Sequence, residues 1–113
     1  MSNIPNRIVI PVTDLDAAKK LYGAWLGAEP HTEAPYYVGF NVGGVEIGLN
    51  PNGHAMGMTK PTPTAAVESL DAAREELLAA GATEISPPSP AGPGQRVCTF
   101  ADADGNPMAI IGA

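Results

Sequence analysis

Two residues of this 113-residue chain stand where they could do chemistry together. Arg7 opens the run Arg7-Ile8-Val9-Ile10, and Glu46 sits in Val45-Glu46-Ile47-Gly48-Leu49. Side chains alternate along a strand, so Arg7 shares a face with Val9 and Glu46 with Gly48. If those faces turn inward, the carboxylate meets a cationic ligand and the guanidinium is its natural partner. If they turn outward, both are charges in water. His31 and His54 are the only histidines and lie beside Gly, Pro or Thr in expected loops. Loops lie on the surface, so the plain reading of both is solvent-exposed; His54, between the two halves of the chain, is also a candidate ligand contact. Cys98, between Val97 and Thr99 with Arg96 as its nearest basic neighbour, reads as a buried inert thiol rather than a nucleophile. Asp102 and Asp104 are explained by a turn. The chain has no Gly-rich phosphate loop, no nucleophile elbow and no paired carboxylates.

The large apolar side chains offer binding surface instead. Trp25 is expected in the core, on the helix face toward the sheet. Tyr36 and Tyr37 are adjacent, so one faces a cavity and the other packs under the helix; which is which stays open, and Tyr37 is carried as the candidate. Phe40 and Phe100 are further candidates, and Met56 and Met58 are adaptable pocket wall or simple cover for a sheet edge.

The elements that position these residues follow from periodicity. Residues 7–12 form a strand, and Thr13 or Asp14 caps a helix over 15–26. Its apolar face is Ala18, Leu21, Tyr22 and Trp25, at helical spacing, and Gly27 ends it. Residues 29–32 form a short strand. Residues 36–42 and 45–50 form a hairpin on Gly43-Gly44. Residues 51–60 read as a linker and 62–67 as a strand, at an edge because of Pro61 and Pro63. Ser69 caps a second helix over 70–80 whose buried face is Leu70, Ala73, Leu77 and Ala80, with Gly81 as its stop. Residues 82–86 form a strand, and 87–94, PPSPAGPG, a loop with no regular structure. The chain closes on a second hairpin, 97–100 and 108–111 around Asp102-Ala103-Asp104-Gly105-Asn106, with Pro107 as first residue of its second strand.

Composition narrows the class. Hydrophobic residues make up 44% and charged residues 16%, which suits one globular domain over 1–113. The formal net charge of −6 repels phosphate backbones, so nucleic acid is not an expected partner and a cationic small molecule is. A single cysteine rules out an internal disulfide, and the N-terminus shows no leader or membrane pattern; the expected location is cytoplasmic.

The chain also repeats itself. Val12-Thr13-Asp14-Leu15-Asp16-Ala17-Ala18 returns 55 positions later as Val67-Glu68-Ser69-Leu70-Asp71-Ala72-Ala73, and Leu26-Gly27-Ala28 returns as Ala80-Gly81-Ala82. Each half reads strand, helix, then three strands, with module 1 over about 4–50 and module 2 over about 61–113. Half a chain cannot bury a sheet face alone, so the two are expected to pack as a pseudo-symmetric pair.

With these pieces, the chain resembles the vicinal oxygen chelate superfamily, the glyoxalase and bleomycin-resistance fold. The matching parts are Val12-Thr13-Asp14-Leu15-Asp16 before a helix carrying Leu21-Tyr22 and Leu26-Gly27, the second helix end at Leu77 to Gly81-Ala82, and Phe100 through Asp104-Gly105-Asn106. The resemblance implies an α+β fold of two βαβββ modules, curved mixed sheets around a cavity with helices outside, and a homodimer. Enzymes of the family hold a divalent metal with four side chains. The corresponding positions here are Arg7, Gly48, Thr62 and Ala109. A guanidinium has no lone pair to give, and glycine, threonine and alanine supply no carboxylate, imidazole or thiolate. The resemblance therefore implies a metal-independent small-molecule-binding protein without a cofactor. It would sequester a hydrophobic or cationic compound such as an antibiotic, in a cavity lined by Arg7, Glu46, Phe40, Phe100 and Ala109. The alternative is a lyase, isomerase or dioxygenase-type enzyme of the same superfamily.

Overall fold

The computed structural model describes residues 3–56 and 58–113, and of Met56 the backbone alone. Readings that fall on Met1, Ser2, Gly57 or the Met56 side chain lie outside the described residues. The element order is β1 (Ile4–Pro11), α1 (Leu15–Leu26), β2 (Thr32–Ala34), β3 (Tyr37–Val42), β4 (Val45–Asn50), a 3-10 turn (His54–Met56), β5 (Thr62–Ala66), α2 (Leu70–Ala79), β6 (Thr83–Pro90), β7 (Arg96–Ala101) and β8 (Pro107–Gly112). The fold is α+β, two βαβββ modules. The chain divides into two units, Asn6–Pro61 and Thr62–Ala113 with the N-terminal residues as far as Pro5.

In the first module the strand order is β2-β3-β4-β1, with β1 parallel to β4 and the other neighbours antiparallel. Gly43 and Gly44 take φ of +61° and +82°, the left-handed angles that a two-residue hairpin turn requires. That turn sets the register Val42↔Val45, Phe40↔Ile47, Asn41↔Glu46 and Gly39↔Gly48. Asp14 caps α1 by accepting from the Ala17 amide at 3.0 Å, and Gly27 ends it at φ +63°. The face of the sheet carrying Ile10, Val38, Phe40, Ile47 and Leu49 is buried against Leu15, Ala18, Tyr22 and Leu26 of α1. Burying each such side chain contributes about 1.5–3 kcal/mol, which is what holds the helix on the sheet.

Trp25 and Leu21 are not part of this core. Both are 68% exposed. The stripe that meets the sheet runs Leu15, Ala18, Tyr22, Leu26, and Trp25 falls at its margin. There its ring stands edge-on to Tyr22, with centroids 5.8 Å apart. Tyr36 is likewise exposed, in the turn before β3, and does not pack under the helix.

The second module repeats the order as β5-β8-β7-β6, again with its first strand parallel to its last. Ser69 caps α2 through the Ala72 amide at 3.3 Å. Leu70, Ala73, Cys98, Phe100 and Ile110 form the core beneath α2. The Arg74 guanidinium grips Glu84 with two bonds, of 2.6 and 3.1 Å, joining α2 to β6. The closing hairpin turn is organised by Asp102. Its Oδ1 accepts from the amides of Asp104 and Asn106, and its Oδ2 from the Asn106 side chain, all within 3.0 Å.

One segment departs from the sequence reading. Pro87, Pro88 and Pro90 belong to β6 rather than to a loop. Proline removes a ladder donor, but β6 is the end strand of its module and its register slips twice against β7, between Glu84 and Ser89. An end strand with bulges is where sheets accept proline. The short strand expected at 29–32 lies instead at Thr32–Ala34, after Pro30.

Candidate functional site

The face of the first module turned away from α1 carries its chemistry. Strand alternation and register put Arg7 and Val9 of β1, Glu46 and Gly48 of β4, and Tyr37, Gly39 and Asn41 of β3 on that face. Arg7 and Glu46 are direct partners across the parallel β1–β4 pair. Glu46 is largely covered, its side chain only 12% exposed, and both of its oxygens are engaged. Oε2 accepts from the Tyr37 hydroxyl at 2.5 Å, and Oε1 lies 2.7 Å from His31 Nε2. A carboxylate only accepts, so Nε2 carries the proton of that bond. In a neutral ring Nδ1 then accepts from the Thr32 hydroxyl, 3.1 Å away. The result is a chain of hydrogen bonds, Thr32 to His31 to Glu46 and Tyr37 to Glu46, with Arg7 beside it. Among the described residues the Arg7 side chain makes no hydrogen bond and no ion pair.

Two glycines make room for this set. A Cβ on Gly48 would run into the Tyr37 ring and hydroxyl, and one on Gly39 would meet Glu46 Oε2 at 2.6 Å and the Tyr37 ring at 2.8 Å. Tyr37 therefore lies flat over bare backbone. Burial raises the Tyr37 phenol above its ordinary range, and the bond to Glu46 and that carboxylate's charge push it the same way; Arg7 opposes them. The phenol stays protonated and remains a donor throughout the physiological range.

The sequence-derived candidates sort unevenly onto this site. Arg7, Tyr37 and Glu46 come together. Phe40 and Phe100 do not join them: both are fully buried on the helix-packed faces of their modules. The hairpin registers dictate this, since Phe40 pairs with Ile47 and Phe100 with Met108, one residue out of phase with Glu46 and Ala109. His54 is exposed on the 3-10 turn and bonds to none of the cluster. His31, read from the sequence as an exposed loop residue, is the histidine that reaches Glu46. Its ring is half-exposed, and its amide donates to the Gly39 carbonyl at 2.9 Å, which ties it to β3.

In the second module Ala109 is buried, paired with Thr64 on one side and Thr99 on the other. Thr62 and Thr64 are buried on the same face, and the Thr64 hydroxyl donates to the Thr62 carbonyl at 3.2 Å. Cys98 faces the α2 core, and burial pushes its thiol up, which leaves little thiolate for nucleophilic work. A separate cleft of about 470 Å³ lies on the helix side of the first module, between the end of α1 and residues 27–30, with Lys19, Lys20 and Glu29 at its rim. It does not include the Glu46 cluster.

A family model, the glyoxalase/bleomycin resistance protein/dioxygenase superfamily, matches residues 4–110. The chain belongs to that superfamily. No curated protein sequence matches it. Among solved structures, it is similar to one titled NAD-dependent benzaldehyde dehydrogenase from Legionella pneumophila, at TM-score 0.80 and 18% identity, covering 96% of this chain and 98% of that one. It is also similar to a variant methylmalonyl-CoA epimerase from Streptomyces coelicolor in complex with 2-nitronate-propionyl-CoA, at TM-score 0.70 and 18% identity, covering 99% and 96%. A superfamily member from Vibrio splendidus 12B01 matches at TM-score 0.65 and 13% identity, covering 98% and 97%. At these identities the likeness is one of fold.

The four positions at which the superfamily's enzymes hold their metal do not fit one here. Arg7 is a fixed cation. The space over Gly48 is taken by the Tyr37 phenol rather than left open. Ala109 offers a methyl group, and Thr62 is a buried hydroxyl. Among the described residues, no three His, Cys, Asp or Glu side chains converge as a metal site would need.

Proposed function

We propose that this chain binds a small molecule without a metal, on the Glu46 face of its first module. The observation that supports this reading is the pre-built polar set: Glu46 held by Tyr37 and His31, over two glycines, with Arg7 beside it. A few fixed polar groups beside an aromatic surface are what a binding site needs to orient a ligand. The Tyr37 ring and Val9 supply apolar contact, and Arg7 or Glu46 fixes a polar end. The ligand is a compound with a hydrophobic body, antibiotics among the candidates, and the activity is sequestration. We propose further that the protein works as a cytosolic homodimer, apart from nucleic acid and membrane. No helix among the described residues is long and apolar enough to cross a membrane.

The test is a thermal-shift screen of chelator-dialysed protein against cationic antibiotics and short-chain metabolites. A ligand at 100 times its Kd adds about 2.7 kcal/mol to native stability, a rise of several degrees. A shift that survives chelator and is lost in Tyr37→Phe or Arg7→Ala is the expected result. A shift that appears only with added divalent metal, or none from any compound, would overturn the proposal.

A second reading has one observation in its favour. The 2.7 Å contact between Glu46 and His31 places two proton-exchanging groups side by side. On this reading the protein is a metal-free isomerase or lyase that uses Glu46 and Arg7. Deuterium entering a bound ligand at carbon in D2O, followed by NMR, would favour it; binding without exchange favours sequestration.

A further inference from the structure

We infer that the ligand of the Glu46 face carries an anionic carboxylate on a flat aromatic or apolar body, and that Arg7 is the residue that takes it. This rests on the binding reading above and decides the sign of the ligand's charge, which the acidic composition alone points the other way.

Glu46 is the acidic group of this face, and it is already spoken for. Its two oxygens each hold a donor, Tyr37 Oη and His31 Nε2, and the carboxylate is largely covered. With its side chain only 12% exposed, the carboxylate offers a cationic ligand little surface unless one of those donors gives way. Displacing Tyr37 strips a part-buried phenol of its acceptor, and leaving a buried donor unsatisfied offsets much of what the new bond returns. The glycines at 39 and 48 leave the phenol little reason to move, because the floor beneath it is shaped to its ring.

Arg7 is in the opposite condition. It lies directly across from Glu46 in the β1–β4 register, partly buried, and its side chain bonds to nothing among the described residues. A guanidinium offers five N–H donors in a planar fork that matches the two oxygens of a carboxylate, and such charge-assisted pairs are stronger than neutral ones. With Glu46 capped by its own donors, the fork is left for an incoming anion. The ligand's body then meets Val9 on Arg7's face and the Tyr37 ring, which favours a flat apolar group over a sugar or a peptide.

Isothermal titration calorimetry of the full chain with three matched probe pairs tests this: benzoate and phenylacetate, their amides, and the corresponding benzyl and phenethyl ammonium ions. The carboxylates are expected to bind at least about tenfold more tightly than either counterpart. Arg7→Gln should remove that preference, and Arg7→Lys should keep part of it. In the unsubstituted protein the Arg7 side-chain Nε–H resonance should move on adding benzoate and stay on adding benzamide, a readout that does not depend on any variant folding. Ammonium or amide probes binding as tightly as carboxylates, or Arg7→Gln leaving benzoate affinity unchanged, would overturn the inference while leaving small-molecule binding standing. No binding by any probe would defeat both.

Discussion

At the scale of single residues, the site depends on what is missing as much as on what is present. Tyr37 reaches Glu46 only because positions 39 and 48 have no side chain. Gly48→Ala should therefore push the phenol off the sheet. Overpacking of this kind costs about 1–3 kcal/mol, and urea denaturation should show a loss in that range. Combined with Tyr37→Ala, the same substitution should cost much less than alone, because the atoms nearest the new methyl all belong to the Tyr37 ring and hydroxyl. The phenol itself gives a second prediction. Its folded pKa is raised above the unfolded value, so native and unfolded states bind the same proton at neutral pH, and through Tyr37 stability does not vary with pH there. Above the ordinary tyrosine range the unfolded chain loses the proton first, and stability falls as pH climbs toward the folded value. In an ultraviolet titration of the three tyrosines, one component should ionise late, and Tyr37→Phe should abolish it.

At the scale of elements, what was legible in the sequence was what is decided locally. The cap at Thr13 or Asp14, the cap at Ser69, the stop at Gly27 and both hairpins all rest on neighbours a few residues apart. Part of the site was legible for the same reason. A two-residue turn at Gly43-Gly44 pairs Val42 with Val45, and that alone puts Tyr37 on the face of Glu46 and Phe40 on the other. The sequence reading placed Phe40 beside Glu46 and so overlooked a register it had the means to count. His31 was out of reach, since its contact depends on how β2 docks on β3 across a turn with no such signature. The prolines of β6 were misread because being an end strand is a property of the sheet, not of PPSP. Trp25 was misplaced because its position on α1 is one step off the stripe that meets the sheet. The corrected assignment is testable: Phe40→Ala should cost about 3–5 kcal/mol, as large-to-small changes in a core do, and Trp25→Ala less than about 1 kcal/mol. Equal losses measured by thermal or urea melts would contradict it.

At the scale of the molecule, the two modules share a strand order but not a chemistry. The first carries Arg7, Glu46, Tyr37 and His31. The corresponding face of the second carries Thr64, Thr99 and Ala109, with no titratable side chain between them. The scaffold is shared while the polar groups lie in the first module, so binding energy should map chiefly there. Assembly is a further expectation at this scale. Light scattering at micromolar concentration should return twice the mass of one chain, and a monomer would argue against the proposed homodimer. The most direct test of the account is an amide chemical-shift titration of the labelled protein with the best ligand from the thermal screen, after chelator dialysis. The account predicts shifts concentrated at Arg7, His31, Tyr37, Gly39, Glu46 and Gly48. Shifts confined instead to the α1 cleft around Lys20, Gly23 and Gly27, with the Glu46 face silent, would contradict it.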